Sequence, residues 1–262
     1  MQKTNKNNLK VVILAGGYGT RLGTLTKLKP NPMVDVCGKP FIEHIIQLYL
    51  KSGFSNFIIC GGYKNEVIKD YFKKKFKKNI LLNNKNETFI KKNNFSIRIV
   101  NTGKNSLTGG RIKRIRKYVE KDAYFHMTYG DGLSNVNINK LTKFHLKNKK
   151  FATVTTVKIQ VPQERFGVVY FKNKNTVKEF VEKPDIKEIF INGGFFVLSS
   201  EIFKFIKDDF TRWEAKPLEK IAKQKQLGAF KHTGFWKCMD TIRDRKYLEQ
   251  FKNKRFPWNT TN

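Results

Sequence analysis

Three glycines and an arginine, Gly16, Gly17, Gly19 and Arg21, follow directly on the apolar run from Val11 to Leu14. Glycines after a strand let the backbone approach a ligand and aim N–H groups at an anion. The Arg21 guanidinium adds a cation that can fork onto phosphate oxygens. A dinucleotide fingerprint would need glycine at position 22, where Leu22 stands, and a Walker A loop would need Gly-Lys-Ser/Thr, which is absent. Two carboxylates come next in interest. Asp131 lies between glycines in "TYGDG", after a strand, and Asp240 lies in "KCMDT". Each alone reads equally as a turn residue or a helix cap. Together at strand ends beside a phosphate loop they could share one Mg²⁺ with triphosphate oxygens. In "SLTGGRIKR", Ser106, Thr108 and Arg111 sit at a helix start whose amides could hold a nucleobase edge or an anion, or Arg111 could face solvent.

The elements that must position these groups alternate. Strand-like runs at 11–17, 56–62, 95–103 and 123–132 are separated by helical patterns at 40–53, 63–76 and 109–120. That alternation predicts a parallel sheet with right-handed crossovers. A Lys/Asn-rich stretch, 77–94, carries no assignment. Beyond residue 150 the runs 151–159, 166–171 and 176–184 read as strands, with "KNKN" as a hairpin turn. A strand and two helices over 191–224, the run 235–240 and a last helix over 241–252 complete the pattern. The expected fold class is α/β, a Rossmann-like mixed, mostly parallel sheet flanked by helices with a small antiparallel part, in a single domain spanning 1–262.

The 262 residues suffice for one large domain, and 39% hydrophobic with 13% aromatic content argues against disorder. Three scattered cysteines, Cys37, Cys60 and Cys238, lack metal-ligand spacing and fit a reducing cytoplasm. The polar start "MQKTNKNNLK" does not read as a signal peptide, and no apolar run reaches the ~20 residues of a membrane span. The net charge of +32 is spread along the chain among Asn, Ile and Phe, so the expectation is a solvated basic surface with no dedicated nucleic-acid or membrane partner.

In this order "LAGGYGTRL", "PMVDVCGKPFIEHI", "FIICGGYKNEVIKDYF", "TGGRIKR", "TYGDG", "RFGVV", "EKP", "INGGFFVL", "WEAKPL" and "GFWKCMDTIRD" resemble the sugar-1-phosphate nucleotidylyltransferases. "TGGRIKR", "INGGFFVL" and "GFWKCMDT" resemble the glucose-1-phosphate cytidylyltransferases within that superfamily. The resemblance implies transfer of CMP from CTP to a hexose 1-phosphate, glucose 1-phosphate by default, with release of pyrophosphate. It implies that Leu14, Ala15, Gly16, Gly17, Tyr18, Gly19, Thr20 and Arg21 wrap the nucleotide, and that Ser106, Arg111 and Gly130 surround the base and ribose. It further implies that Asp131 and Asp240 hold Mg²⁺. Lys183 would meet the sugar phosphate, and Glu182 and Asn192 sugar hydroxyls. A homo-oligomer and a role in CDP-sugar supply for surface polysaccharide are family expectations.

One position departs from the resemblance. The superfamily carries a triphosphate-contacting lysine ten residues after the loop arginine, and here that place is Asn31, between Pro30 and Pro32. Extended residues two apart face the same side, so Lys29 is the expected replacement cation. The alternatives are a nucleotide-binding homologue with weak or no turnover, or a transferase for another sugar or nucleotide.

Overall fold

The computed structural model describes residues 9–159, 168–173, 175–181 and 189–259. In chain order its strands begin with β1 (Lys10–Ala15), β2 (Asp35–Val36), β3 (Lys39–Pro40), β4 (Asn56–Gly61), β5 (Ile80–Asn83), β6 (Glu87–Lys92), β7 (Phe95–Asn101) and β8 (Phe125–Tyr129). They continue with β9 (Gly132–Ser134), β10 (Ala152–Lys158), β11 (Val168–Asn173), β12 (Thr176–Val181), β13 (Phe190–Leu198), β14 (Leu227–His232) and β15 (Trp236–Cys238). The helices are α1 (Leu25–Leu28), α2 (Phe41–Lys51), α3 (Asn65–Lys75), α4 (Thr108–Arg114), α5 (Arg116–Val119), α6 (Ile138–Asn148), α7 (Lys216–Lys223) and α8 (Ile242–Glu249).

Nine strands form one sheet in the order β14-β10-β13-β8-β1-β4-β7-β6-β5. β1 pairs in parallel with β4 on one side and β8 on the other, and β4 with β7. β13 runs antiparallel to both β8 and β10. The expected mixed, mostly parallel sheet is the observed one. β1 is buried along nearly its whole length, as a central parallel strand must be. Its alternation divides the core. Val11 and Ile13 pack on the side of Phe41 and Ile45 of α2, while Val12 and Leu14 pack on the side of Ile112 of α4 and Trp213.

Several elements lie outside the sequence reading, among them the helix α6 over Ile138–Asn148. The Lys/Asn-rich stretch folds into the β5–β6 hairpin, which extends the sheet antiparallel to β7 and buries Thr88 and Ile90. β14 adds a strand parallel to β10 at the opposite edge. The β11–β12 hairpin forms a separate two-stranded antiparallel sheet, as the "KNKN" turn predicts. Among the described residues no helix is long and apolar enough to cross a membrane.

Candidate active site

Sheet order reverses about β1: the chain goes from β1 to β4 on one side and later returns to β8 on the other. Open α/β sheets bind ligands at the carboxyl ends of strands at such a point. There the glycine loop leaves β1, and a cavity of about 330 Å³ is lined by all of Leu14 to Arg21 together with Asn31, Ser106, Arg111, Gly130, Asp131 and Asp240. The geometry needs its glycines. Gly19 adopts φ +63°, and a side chain there would also press on Thr26 and Asn31. A Cβ on Gly16 would stand 2.1 Å from the Arg111 guanidinium.

Arg111 is 4% exposed, and its terminal nitrogens are occupied by main-chain carbonyls and the Thr102 hydroxyl. Nη2 donates to the carbonyls of Gly16 at 2.8 Å and Lys104 at 3.4 Å. Nη1 donates to Thr102 Oγ1 at 2.9 Å and to the carbonyls of Gly103 at 2.8 Å and Gly61 at 3.2 Å. The guanidinium therefore ties together the glycine loop, the end of β4 and the loop after β7. It shapes the cavity wall. Two amides at the start of α4 are likewise committed: Leu107 N donates to Asp209 O at 2.8 Å and Gly110 N to Thr211 O at 3.3 Å. Gly109 and Gly110 serve this close approach, since a Cβ on either would collide with the 209–211 backbone.

Asp131 and Asp240 converge as the sequence expects. Their carboxylate oxygens and the Cys238 sulfur all lie within 4.8 Å of one another. Asp240 is not the cap of α8. Thr241 caps that helix in a capping box with Asp244, which leaves the Asp240 carboxylate to pair with Arg21 Nη1 at 2.8 Å. Burial, with the neighbouring Asp240 charge, pushes the Asp131 carboxyl up to about 6. Two hard oxygen donors that repel one another fit a divalent cation such as Mg²⁺ between them. Burial and the same carboxylates also push the Cys238 thiol up, well away from thiolate formation.

Residues 10–243 match the family described as Nucleotidyl transferase. This chain belongs to that family. It is 43% identical to a glucose-1-phosphate cytidylyltransferase of Salmonella typhimurium over 96% of this chain and 99% of that one. A probable glucose-1-phosphate cytidylyltransferase of Bacillus subtilis is 38% identical over 94% and 97% of the two chains. Among solved structures, HddC from Yersinia pseudotuberculosis, complexed with GMP-PN, superposes with a TM-score of 0.65 at 25% identity, covering 92% of this chain and 98% of that one. The chain is thus a sugar-1-phosphate nucleotidyltransferase.

In this nucleotidyltransferase a second cavity, about 300 Å³, adjoins the first and shares Arg21, Tyr129, Asp131 and Asp240 with it. Asn192, Gly193, Gly194, Glu214, Trp236 and Cys238 also line it. Asn192 Nδ2 donates to Tyr129 Oη at 3.3 Å, and its Oδ1 accepts from Gly194 N at 2.8 Å. Asn192 is therefore held rigidly at the edge of the second cavity. Glu182 and Lys183 lie outside the described residues.

Lys29 is not brought to the transferase's site. Pro30 is extended, but the chain turns at once into a 3₁₀ turn over Asn31–Met33, so the alternation of an extended strand stops there. The Lys29 ammonium instead pairs with Asp35, and Lys29 lines neither cavity. Asn31 does line the first cavity. It is 7% exposed, Nδ2 donates to Met239 O at 3.2 Å, and Oδ1 has no partner among the described residues.

Sequence reasoning passed over Tyr129 and Glu214. Glu214 accepts from Thr108 Oγ1 at 2.6 Å; burial, and after it the Glu214 charge, raises the Tyr129 phenol above its ordinary range. Glu214 thereby links the start of α4 to the second cavity. The motif "WEAKPL" contains Glu214, yet only the long-range contact to Thr108 gives it a role.

Proposed function

We propose that the protein transfers CMP from CTP to glucose 1-phosphate, giving CDP-glucose and pyrophosphate. The observation that carries this reading is the shared wall: Asp131 and Asp240 stand where two adjoining cavities meet. A nucleoside triphosphate fills the first, with its phosphates against the glycine loop. The sugar phosphate enters through the second. Its phosphate oxygen attacks the α-phosphorus, the bond from that phosphorus to the bridging oxygen breaks, and pyrophosphate leaves with the electron pair. The nucleophile is already an anion, so the chain needs to position and neutralise rather than to activate.

Asp131 and Asp240 would hold Mg²⁺, which when bound supplies charge neutralisation to the phosphates. Arg21, which reaches Asp240 at 2.8 Å, stands at the same seam and contributes positive charge there. Asn192, fixed by Tyr129 and the Gly194 amide, presents its amide to sugar hydroxyls. Cytosine is favoured over other bases, and glucose over other sugars, by the named activity of the 43% and 38% identical relatives.

The test is pyrophosphate release with Mg²⁺, glucose 1-phosphate and each of CTP, UTP, GTP, ATP and dTTP in turn. CTP is expected to lead in kcat/KM. A lead by GTP, the base class of the ligand seen in HddC, would move the reading to a guanylyltransferase.

A further inference from the structure

We infer that Lys104 is a phosphate-binding residue, held over the glycine loop to meet the nucleotide's phosphate chain. The inference rests on the nucleotidyl-transfer reading above and goes beyond it in assigning this side chain. Among the described residues, three cations line the nucleotide cavity: Arg21, Lys104 and Arg111. The two arginines are already committed. Arg21 is paired with Asp240, and the terminal nitrogens of Arg111 are taken up by carbonyls and Thr102. Lys104 has no carboxylate partner among the described residues, and Asn31 contributes no charge to the wall.

The position of Lys104 is built rather than incidental. Gly103 turns at φ +88°, a conformation that favours glycine, and its N–H donates to Asn101 Oδ1 at 3.1 Å. The carbonyls of Gly103 and Lys104 both accept from Arg111, the same guanidinium that holds the Gly16 carbonyl. The Lys104 backbone is thus registered directly against the glycine loop. A second contact closes the gap from above: Tyr18 Oη donates to Asn105 Oδ1 at 2.9 Å. The Lys104 ammonium lies 6.0 Å from the centroid of the Tyr18 ring, on the loop that faces the phosphates. A triphosphate keeps net negative charge even with one divalent cation bound, and a lysine there meets it as a point charge.

The test compares CTP with cytidine, each with Mg²⁺, by calorimetric titration of the unmodified chain, Lys104→Met and Lys104→Arg. Lys104→Met is expected to weaken CTP binding about 10-fold or more and to lower its salt dependence, while cytidine binding stays within about twofold. Lys104→Arg is expected to keep most of the CTP affinity. Unaltered CTP binding by Lys104→Met would overturn the assignment alone. So would an equal loss for CTP and cytidine, which would mark Lys104 as a support for the base pocket. Failure of the unmodified chain to bind CTP would overturn the transferase reading as well.

Discussion

Arg21 Nη1 lies 2.8 Å from Asp240 Oδ2, an ion pair between residues 219 positions apart in the chain. It joins the glycine loop after β1 to the segment between β15 and α8, where the two cavities meet. The pair is largely open to solvent, with the Arg21 side chain 74% exposed, so its value lies in placement and not in stability. Around it the charges are unbalanced. Asp131 feels Asp240 more strongly than it feels Arg21.

That imbalance gives a stability prediction with a defined sign. The Asp131 carboxyl rises from 3.8 in the ordinary state to about 6 in the folded one. The folded chain therefore holds this proton to higher pH than the unfolded chain, and folding is penalised as pH rises through this window. In metal-free protein, Asp131→Asn is expected to raise stability by about 1–3 kcal/mol at pH 7.5 and to change it little at pH 4. Urea unfolding in chelator at the two pH values measures this. A loss of stability at both would show that Asp131 is a structural turn residue.

Acid has the opposite effect elsewhere. Burial holds the His145 imidazole down at about 4, with Nδ1 2.9 Å from Thr153 Oγ1, and burial also lowers His44 and His232. The unfolded chain takes up these protons first, so stability falls as pH drops from about 6.5 towards 4. His145→Gln is expected to flatten that slope, read from unfolding midpoints between pH 7 and pH 4.5.

Arg111 is expected to act through loop geometry. Arg111→Lys keeps a charge but cannot satisfy the carbonyls of Gly16, Gly61 and Gly103 together. It should cost about 1–3 kcal/mol of stability and weaken nucleotide binding about 10-fold. A thermal scan with and without CTP separates the two effects, and an unchanged melting temperature would argue against the pillar role.

Lys29 is expected to be dispensable for chemistry. Its ammonium pairs with Asp35 outside both cavities, so Lys29→Met should change kcat/KM for CTP less than about threefold. Asn31→Lys places a cation in the cavity wall at the expense of the Met239 contact. It is expected to raise CTP affinity about 3- to 10-fold, measured by titration.

The parts of this site that were legible in the sequence are those with local signatures. The glycine loop, Asp131 between glycines and Asp240 before a helix are short-range patterns; the β1–β8 pairing sets the first two side by side, and the separate β15–β9 ladder carries Asp240 to them. Lys29 stands away from the site because strand alternation ends at Pro30, where a 3₁₀ turn over Asn31–Met33 begins. Arg111 reads as a ligand contact in sequence, yet it needs Gly16, 95 residues away, to be recognised as a strut. The β5–β6 hairpin escaped notice because an edge hairpin buries few side chains, here Thr88 and Ile90, within a run of Lys and Asn. Glu214 and Tyr129 lie inside "WEAKPL" and "TYGDG", but their roles come from contacts distant in the chain, Glu214 with Thr108 and Tyr129 with Asn192.

The central claim is transfer between the two cavities at the Asp131–Asp240 seam. The most direct measurement is phosphorus NMR of CTP, glucose 1-phosphate and Mg²⁺ incubated with the unmodified chain and with Asp131→Asn. The account predicts CDP-glucose and pyrophosphate appearing in equal amounts, with the rate falling about 10²- to 10³-fold in the variant. Bound CTP with no CDP-glucose, or turnover indifferent to Asp131→Asn, would contradict it.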